Sequence, residues 1–188
     1  MPTLEETIES VSAKLLNLDP GPLAELRRME PDDPGTPIFW RMVAQYGWRD
    51  GELDAWKQII RMMALLTPCG HRGADVRLHD RRQHLGAVLC DGGNPTWPPS
   101  GPEPKPVYSE ARLARFLATP AGQRGESLER MARLLARSRS PQNGVNCIEV
   151  AHLLLRQEEV YPLQDVAKHY YARLDRAAYQ SKQEEGIA

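Results

Sequence analysis

The chain has 188 residues, 26% of them charged, and a formal net charge of −1. A length of this order suits one domain or two small ones and buries about two thirds of the surface of the unfolded chain. A near-neutral total excludes a uniformly basic nucleic-acid binder, and the longest apolar run, Met62 to Leu66, is far short of the ~20 residues that cross a bilayer.

Cysteine use and the N-terminus narrow the setting further. Cys69, Cys90 and Cys147 are an odd set at unrelated spacings, which fits a reducing, cytoplasmic compartment better than a disulfide framework. Glu5, Glu6 and Glu9 stand where an export signal carries basic residues, so neither a membrane nor an export role is expected. Charge is unevenly divided: residues 1–35 carry eight acids and three bases, residues 36–90 eight bases and five acids, and residues 109–140 seven arginines and three glutamates. Separated areas of opposite sign suit a protein that holds a polyanion on one side and a protein on another.

In chain order, Thr3 with Glu6 three residues on forms a capping box that starts a helix running to about Leu18. Asp19 caps, and Pro20 begins, a short helix carrying Leu26-Arg27-Arg28; Thr36 and Pro37 start the next helix, which Gly47 closes. Asp50 opens a fourth helix to Leu66. Its apolar residues Leu53, Trp56, Ile60, Met63, Ala64 and Leu66 face a core and leave Lys57 and Arg61 as a basic ridge on another face. A shorter helix follows Asp80 and ends near Cys90.

Asp91 to Tyr108 reads DGGNPTWPPSGPEPKPVY, with six prolines and three glycines that exclude regular structure, and forms a linker. Beyond it, helices are expected from Ser109 to Thr119, from about Ser127 to Arg139, from Asn146 with Glu149, and from Pro162. The last carries a buried stripe of Leu163, Val166, Ala167, Tyr170, Leu174 and Ala177, and the final QSKQEEGIA is polar enough to fray. No segment alternates apolar and polar residues in the manner of a strand. The expected fold is all-α: two small helical bundles, residues 1–91 and 109–188, joined by a Pro/Gly-rich linker at 92–108.

Three groups of residues carry chemistry. Arg27 and Arg28 point about 100° apart on one helix, so at least one faces water or an anion, and a guanidinium holds phosphate by two parallel hydrogen bonds. With Arg41, Lys57, Arg61, Arg112, Arg115, Arg130, Arg133 and Arg137 they form a basic constellation, most of it spaced three or four apart on helices; Arg130, Arg133 and Arg137 align along one face, with Glu126 and Glu129 as the only nearby acids. Phe39, Trp40, Trp56, Phe116 and Tyr170 lie on apolar faces and are expected in the core rather than stacked on bases. Cys69, His71, His79, His84 and Cys90 share one loop and short helix, but no C-x-x-C or H-x-x-x-H pair fixes two ligands on a turn, so no metal is expected there.

The run GPLAELRRMEPDDPGTPIFWRMVAQYGW from Gly21 to Trp48 resembles the small subunit of the type I-E CRISPR surveillance complex Cascade, the CasB family. In that family a leucine or isoleucine and two arginines precede a Pro-aromatic-Arg helix. The likeness continues through the apolar helix from Asp54 to Leu66, the Leu85-Gly86 step, ARLARFL from Ala111, MARLLARS from Met131 and the aromatic pair Tyr170 and Tyr171. The Pro-rich stretch and the His-rich loop depart from the family pattern.

The resemblance implies a non-catalytic subunit without cofactor or metal that holds DNA strands nonspecifically and stabilises the R-loop in antiviral defence. Its partners would be target and non-target DNA strands, the guide RNA ribonucleoprotein, the complex's backbone and large subunits, and a second copy of itself. Glu30, Asp32 and Asp33 offer docking charges. The matching positions make Arg28, Arg112 and Arg133 the first DNA contacts, extended by Arg27, Arg41, Arg61, Arg115 and Arg137. The rival readings are a helical DNA-binding regulator and a metal-dependent phosphohydrolase built on His71, His79-Asp80 and Asp165. In the latter, His71 lies too close to the His-Asp pair to reach it from a separate helix.

Overall fold

A computed structural model describes residues 2–70, 72–98 and 105–185, with side chains to residue 179. Among them are nine α-helices and no strand, only an isolated bridge between His79 and Val145. The helices are α1 (Leu4–Leu16), α2 (Pro20–Arg28), α3 (Pro37–Tyr46), α4 (Leu53–Leu66), α5 (Leu85–Asp91), α6 (Glu110–Leu117), α7 (Arg124–Ser138), α8 (Cys147–Leu155) and α9 (Tyr161–Glu185). The all-α expectation holds, and α9 continues through most of the expected frayed tail; residues 186–188 lie outside the described residues.

Local chemistry accounts for most of the boundaries. Thr3 and Glu6 make the reciprocal capping box, Thr36 accepts from the Phe39 N–H, Asn146 accepts from the Ile148 N–H, and Gly47 closes α3 at φ 68°, where a side chain would be strained. Asp19 and Ser109 take the cap position without a side-chain bond. Two starts differ from expectation: Asp50 begins a 3₁₀ turn, Asp50–Glu52, ahead of α4, and α7 begins three residues before Ser127 behind a similar turn, Ala121–Gln123.

Packing places α4 at the centre. It lies against α1 and α2 from its own side of the Pro/Gly-rich segment and against α7 and α8 from the other, while α5 lies along α9. The halves before and after that segment therefore share one apolar core, with Phe39, Ile60 and Met63 in the same cluster as Met131, Leu153 and Tyr170. Helix α4 is covered on its polar side as well, and the basic ridge expected there is not on the surface: the Lys57 and Arg61 side chains are 11% and 7% exposed.

The linker is fastened at both ends. The Val107 and Tyr108 N–H groups donate to the carbonyls of Cys90 and Leu89, and Trp97 is buried with Arg173 of α9 donating to its carbonyl at 2.8 Å. Arg173 also reaches Asp91 at the end of α5, Nε to Oδ2 at 2.5 Å, in a pair that is nearly buried. Residues 99–104 lie outside the described residues. Gly86 lets α5 and α9 touch: a Cβ there would lie 2.1 Å from the Val166 carbonyl oxygen. No described helix is long and apolar enough to cross a membrane.

Candidate nucleic-acid interface

Helices α6 and α7 are amphipathic in register with each other. On α6, Leu113 and Phe116 are buried, which turns Arg112 and Arg115, three residues apart, outward. On α7, Leu128, Met131, Ala132 and Leu135 are buried, and Arg130, Arg133 and Arg137 stand on the open side. The five arginines line one groove of about 540 Å³, a volume in the range of small-ligand sites, together with Tyr108, Phe116, Thr119, Ser127 and Leu134. No carboxylate lines it among the described residues.

Few of these charges are committed. Arg112 and Arg137 make no side-chain hydrogen bond or ion pair among the described residues. Among the described residues Arg115 bonds only its own helix, Nε to the Ala111 carbonyl at 3.2 Å. Arg130 reaches Glu126 at 3.6 Å and Ser127 Oγ at 3.1 Å, the ion pair being exposed and screened by solvent. Arg133 is held more firmly, with Nη2 and Nε at 2.7 and 2.9 Å from Glu129 Oε1. Burial pushes the Tyr108 phenol above its ordinary range against the opposing pull of Arg112, Arg115 and Arg130, so the phenol stays protonated as a neutral donor among the guanidiniums.

The remaining cations separate into free and engaged. Arg27 and Arg28 divide the work of their helix as adjacent residues must. Arg27 turns inward, donating to the carbonyls of Ala64 and Thr67 at 2.9 and 2.6 Å and to Cys69 Sγ at 3.2 Å, and so satisfies the C-terminal end of α4. Arg28 is exposed and unpartnered among the described residues, as is Arg41 on α3. Neither lines the groove. Two expected contacts are corrected: Arg27 is spent on backbone carbonyls, and Arg61 is sealed by carboxylates. The Arg61 guanidinium meets Glu30 at two points and Glu129 at 3.1 Å.

Other sequence candidates resolve structurally. Phe39, Trp56, Phe116 and Tyr170 are core residues, but Trp40 is 45% exposed, its Nε1 donating to the Pro34 carbonyl at 2.8 Å. Of the Cys/His loop, Cys90 is buried, Cys69 is exposed beside Arg27, and His71 lies outside the described residues. The His79 Nδ1 accepts from the Cys147 N–H at 3.1 Å and its Nε2 is buried without a partner, so neither nitrogen is open to an ion. Sequence patterning overlooked Tyr108, which the linker composition concealed, and the double role of Glu129, whose spacing to Arg133 was visible but whose contact with Arg61 was not.

No protein-family model, curated protein or solved structure matches the chain.

Proposed function

We propose that the chain is a non-catalytic subunit that holds a nucleic-acid strand by its sugar-phosphate backbone in the groove between α6 and α7. The single observation that carries this reading is the convergence of five arginines on a groove that no acidic side chain lines among the described residues. Guanidiniums bind phosphate oxygens bidentately, and Arg112 and Arg137 give up no internal partner in doing so. Phosphate contacts carry no sequence information, so the binding is nonspecific. Arg28 and Arg41 stand as separate exposed cations outside the groove.

The resemblance of the LRR, ARLARFL and MARLL segments to the CasB family supplies the setting: a type I-E Cascade complex in which the subunit steadies the strands of the R-loop. Exchange of about twenty base pairs of DNA for RNA–DNA heteroduplex is nearly balanced, so backbone contacts tip it towards the open loop. The partners in this reading are the target and non-target strands, the guide RNA ribonucleoprotein, the backbone and large subunits and a second copy of the chain.

Fluorescence anisotropy with a labelled single strand, read across a salt series, tests the binding. About four neutralised phosphates give a log-log slope near roughly −3, and Arg112→Ala or Arg137→Ala lowers its magnitude by about 0.7 each. A slope near zero, or slopes untouched by both substitutions, rejects the groove. Co-purification with tagged partner subunits and guide RNA tests the complex.

A further inference from the structure

Where the N-terminus of α5, the first turn of α8 and the middle of α9 meet, His84, Glu149 and His169 come together from three distant stretches of chain. One donor atom of each lies within 4.8 Å of the others, and all three side chains are half-buried. The imidazole rings are stacked, 3.6 Å between centroids and 9° from parallel. None of these residues lines the arginine groove.

The hydrogen bonds prepare the set for a ligand role. Glu149 is held by the Leu85 N–H at 2.7 Å on Oε2 and by Asn146 Nδ2 at 3.1 Å on Oε1, so its carboxylate is already oriented. His84 Nδ1 lies 2.6 Å from Glu149 Oε1, and His169 Nδ1 lies 2.9 Å from the Asp165 carbonyl oxygen. Both partners only accept, so each Nδ1 carries the proton in the ion-free chain: His169 keeps its Nε2 lone pair, whereas His84 faces Glu149 with Nδ1 and binds an ion there once its proton moves to Nε2. For His169 that is the tautomer an outer carbonyl imposes on a metal-binding histidine.

We infer that His84, Glu149 and His169 bind one divalent ion of the zinc class, with water completing the coordination. Imidazole with carboxylate suits Zn²⁺ and its neighbours and disfavours Mg²⁺ and Ca²⁺, which prefer oxygen. Nitrogen and oxygen bond Zn²⁺ at about 2.0–2.2 Å, which sets tetrahedral donors about 3.4 Å apart. The three donor atoms lie within 4.8 Å of one another in the ion-free chain, so binding draws them closer and opens the ring stack. The ion then joins α5, α8 and α9 and fastens the last helix to the core. The inference is independent of nucleic-acid binding.

The test uses the full chain after chelation and dialysis. Titration calorimetry with Zn²⁺ is expected to give one ion per chain, unaffected by Mg²⁺ or Ca²⁺, and His84→Ala and His169→Ala each weaken it by at least about tenfold. At free Zn²⁺ about a hundred times Kd, the folded-to-unfolded ratio of the wild-type chain rises about 100-fold, read as an upward shift in Tm, and this rise disappears in the double variant. Co²⁺ on the wild-type chain decides the donor set even where a variant folds poorly: nitrogen and oxygen donors give ligand-field bands alone. A thiolate charge-transfer band, which places the ion on Cys69 or another cysteine, overturns the assignment. So does the absence of stoichiometric binding, or binding that survives loss of both histidines.

Discussion

Arg61 and Glu30 form a two-point ion pair, Nη1 to Oε2 at 2.6 Å and Nη2 to Oε1 at 2.8 Å, that ties the central helix α4 to the loop after α2. The guanidinium is 7% exposed while the Glu30 carboxylate is 57% exposed, and Glu129 of α7 closes the other side at 3.1 Å. A cation read from spacing as a surface ridge is therefore the buried joint between two parts of the fold.

Arg61→Ala is expected to lower stability without touching nucleic-acid affinity. Breaking a fully buried pair costs about 3–5 kcal/mol, and since Glu30 regains solvent and Glu129 keeps Arg133 the cost here is about 1–3 kcal/mol. Urea denaturation measures the first effect. The salt slope for single-strand binding measures the second, and a change as large as that from Arg112→Ala would return Arg61 to the interface.

Gly86→Ala sets a methyl group against the backbone of α9, 2.1 Å from the Val166 carbonyl oxygen and 2.8 Å from the Tyr170 nitrogen. Neither atom is the end of a flexible side chain, so the helices must separate. The expected loss is about 3 kcal/mol, at the upper end of overpacking costs, read as a Tm lowered by roughly 6–12 °C. A Tm within a degree of wild type would mean that α5 and α9 do not approach this closely.

Burial holds His79 below its ordinary value of 6.5, and burial, with Arg156 adding to it, does the same to His152. Above that ordinary value both histidines are neutral in the folded and unfolded chain alike. As pH falls through it, the unfolded chain takes up protons that the folded chain refuses, so stability declines between about pH 7 and 5.5. Urea midpoints across this range should fall, and His79→Asn, which keeps an acceptor for the Cys147 N–H, should flatten the decline.

Thiol reactivity should separate the cysteines. Cys69 is exposed, whereas Cys90 and Cys147 are buried and their thiols are pushed up to about 12, chiefly by loss of solvent. A disulfide reagent at neutral pH is expected to titrate one thiol of the folded chain and three in denaturant. Rapid reaction of two or more in the native state would contradict the packing of α5 and α8.

Helix positions were legible in the amino-acid order because a capping box, a proline at the first turn or a left-handed glycine acts within a few residues, as at Thr3, Pro37 and Gly47. The facing arginines of α6 and α7 were legible for the same reason: Leu113, Phe116, Met131 and Leu135 recur with the helical period and turn the cations outward. Three-dimensional packing alone decided which cations stayed free. Arg61 lies 31 residues from Glu30 and 68 from Glu129, and Arg27 lies 37 from the carbonyl of Ala64, separations over which no local pattern carries information. The same holds for His84, Glu149 and His169, which meet because Gly86 lets α5 close on α9. Short-range hydrogen bonding and periodic burial are written into neighbouring residues; the neutralisation of a charge depends on what the folded chain brings against it.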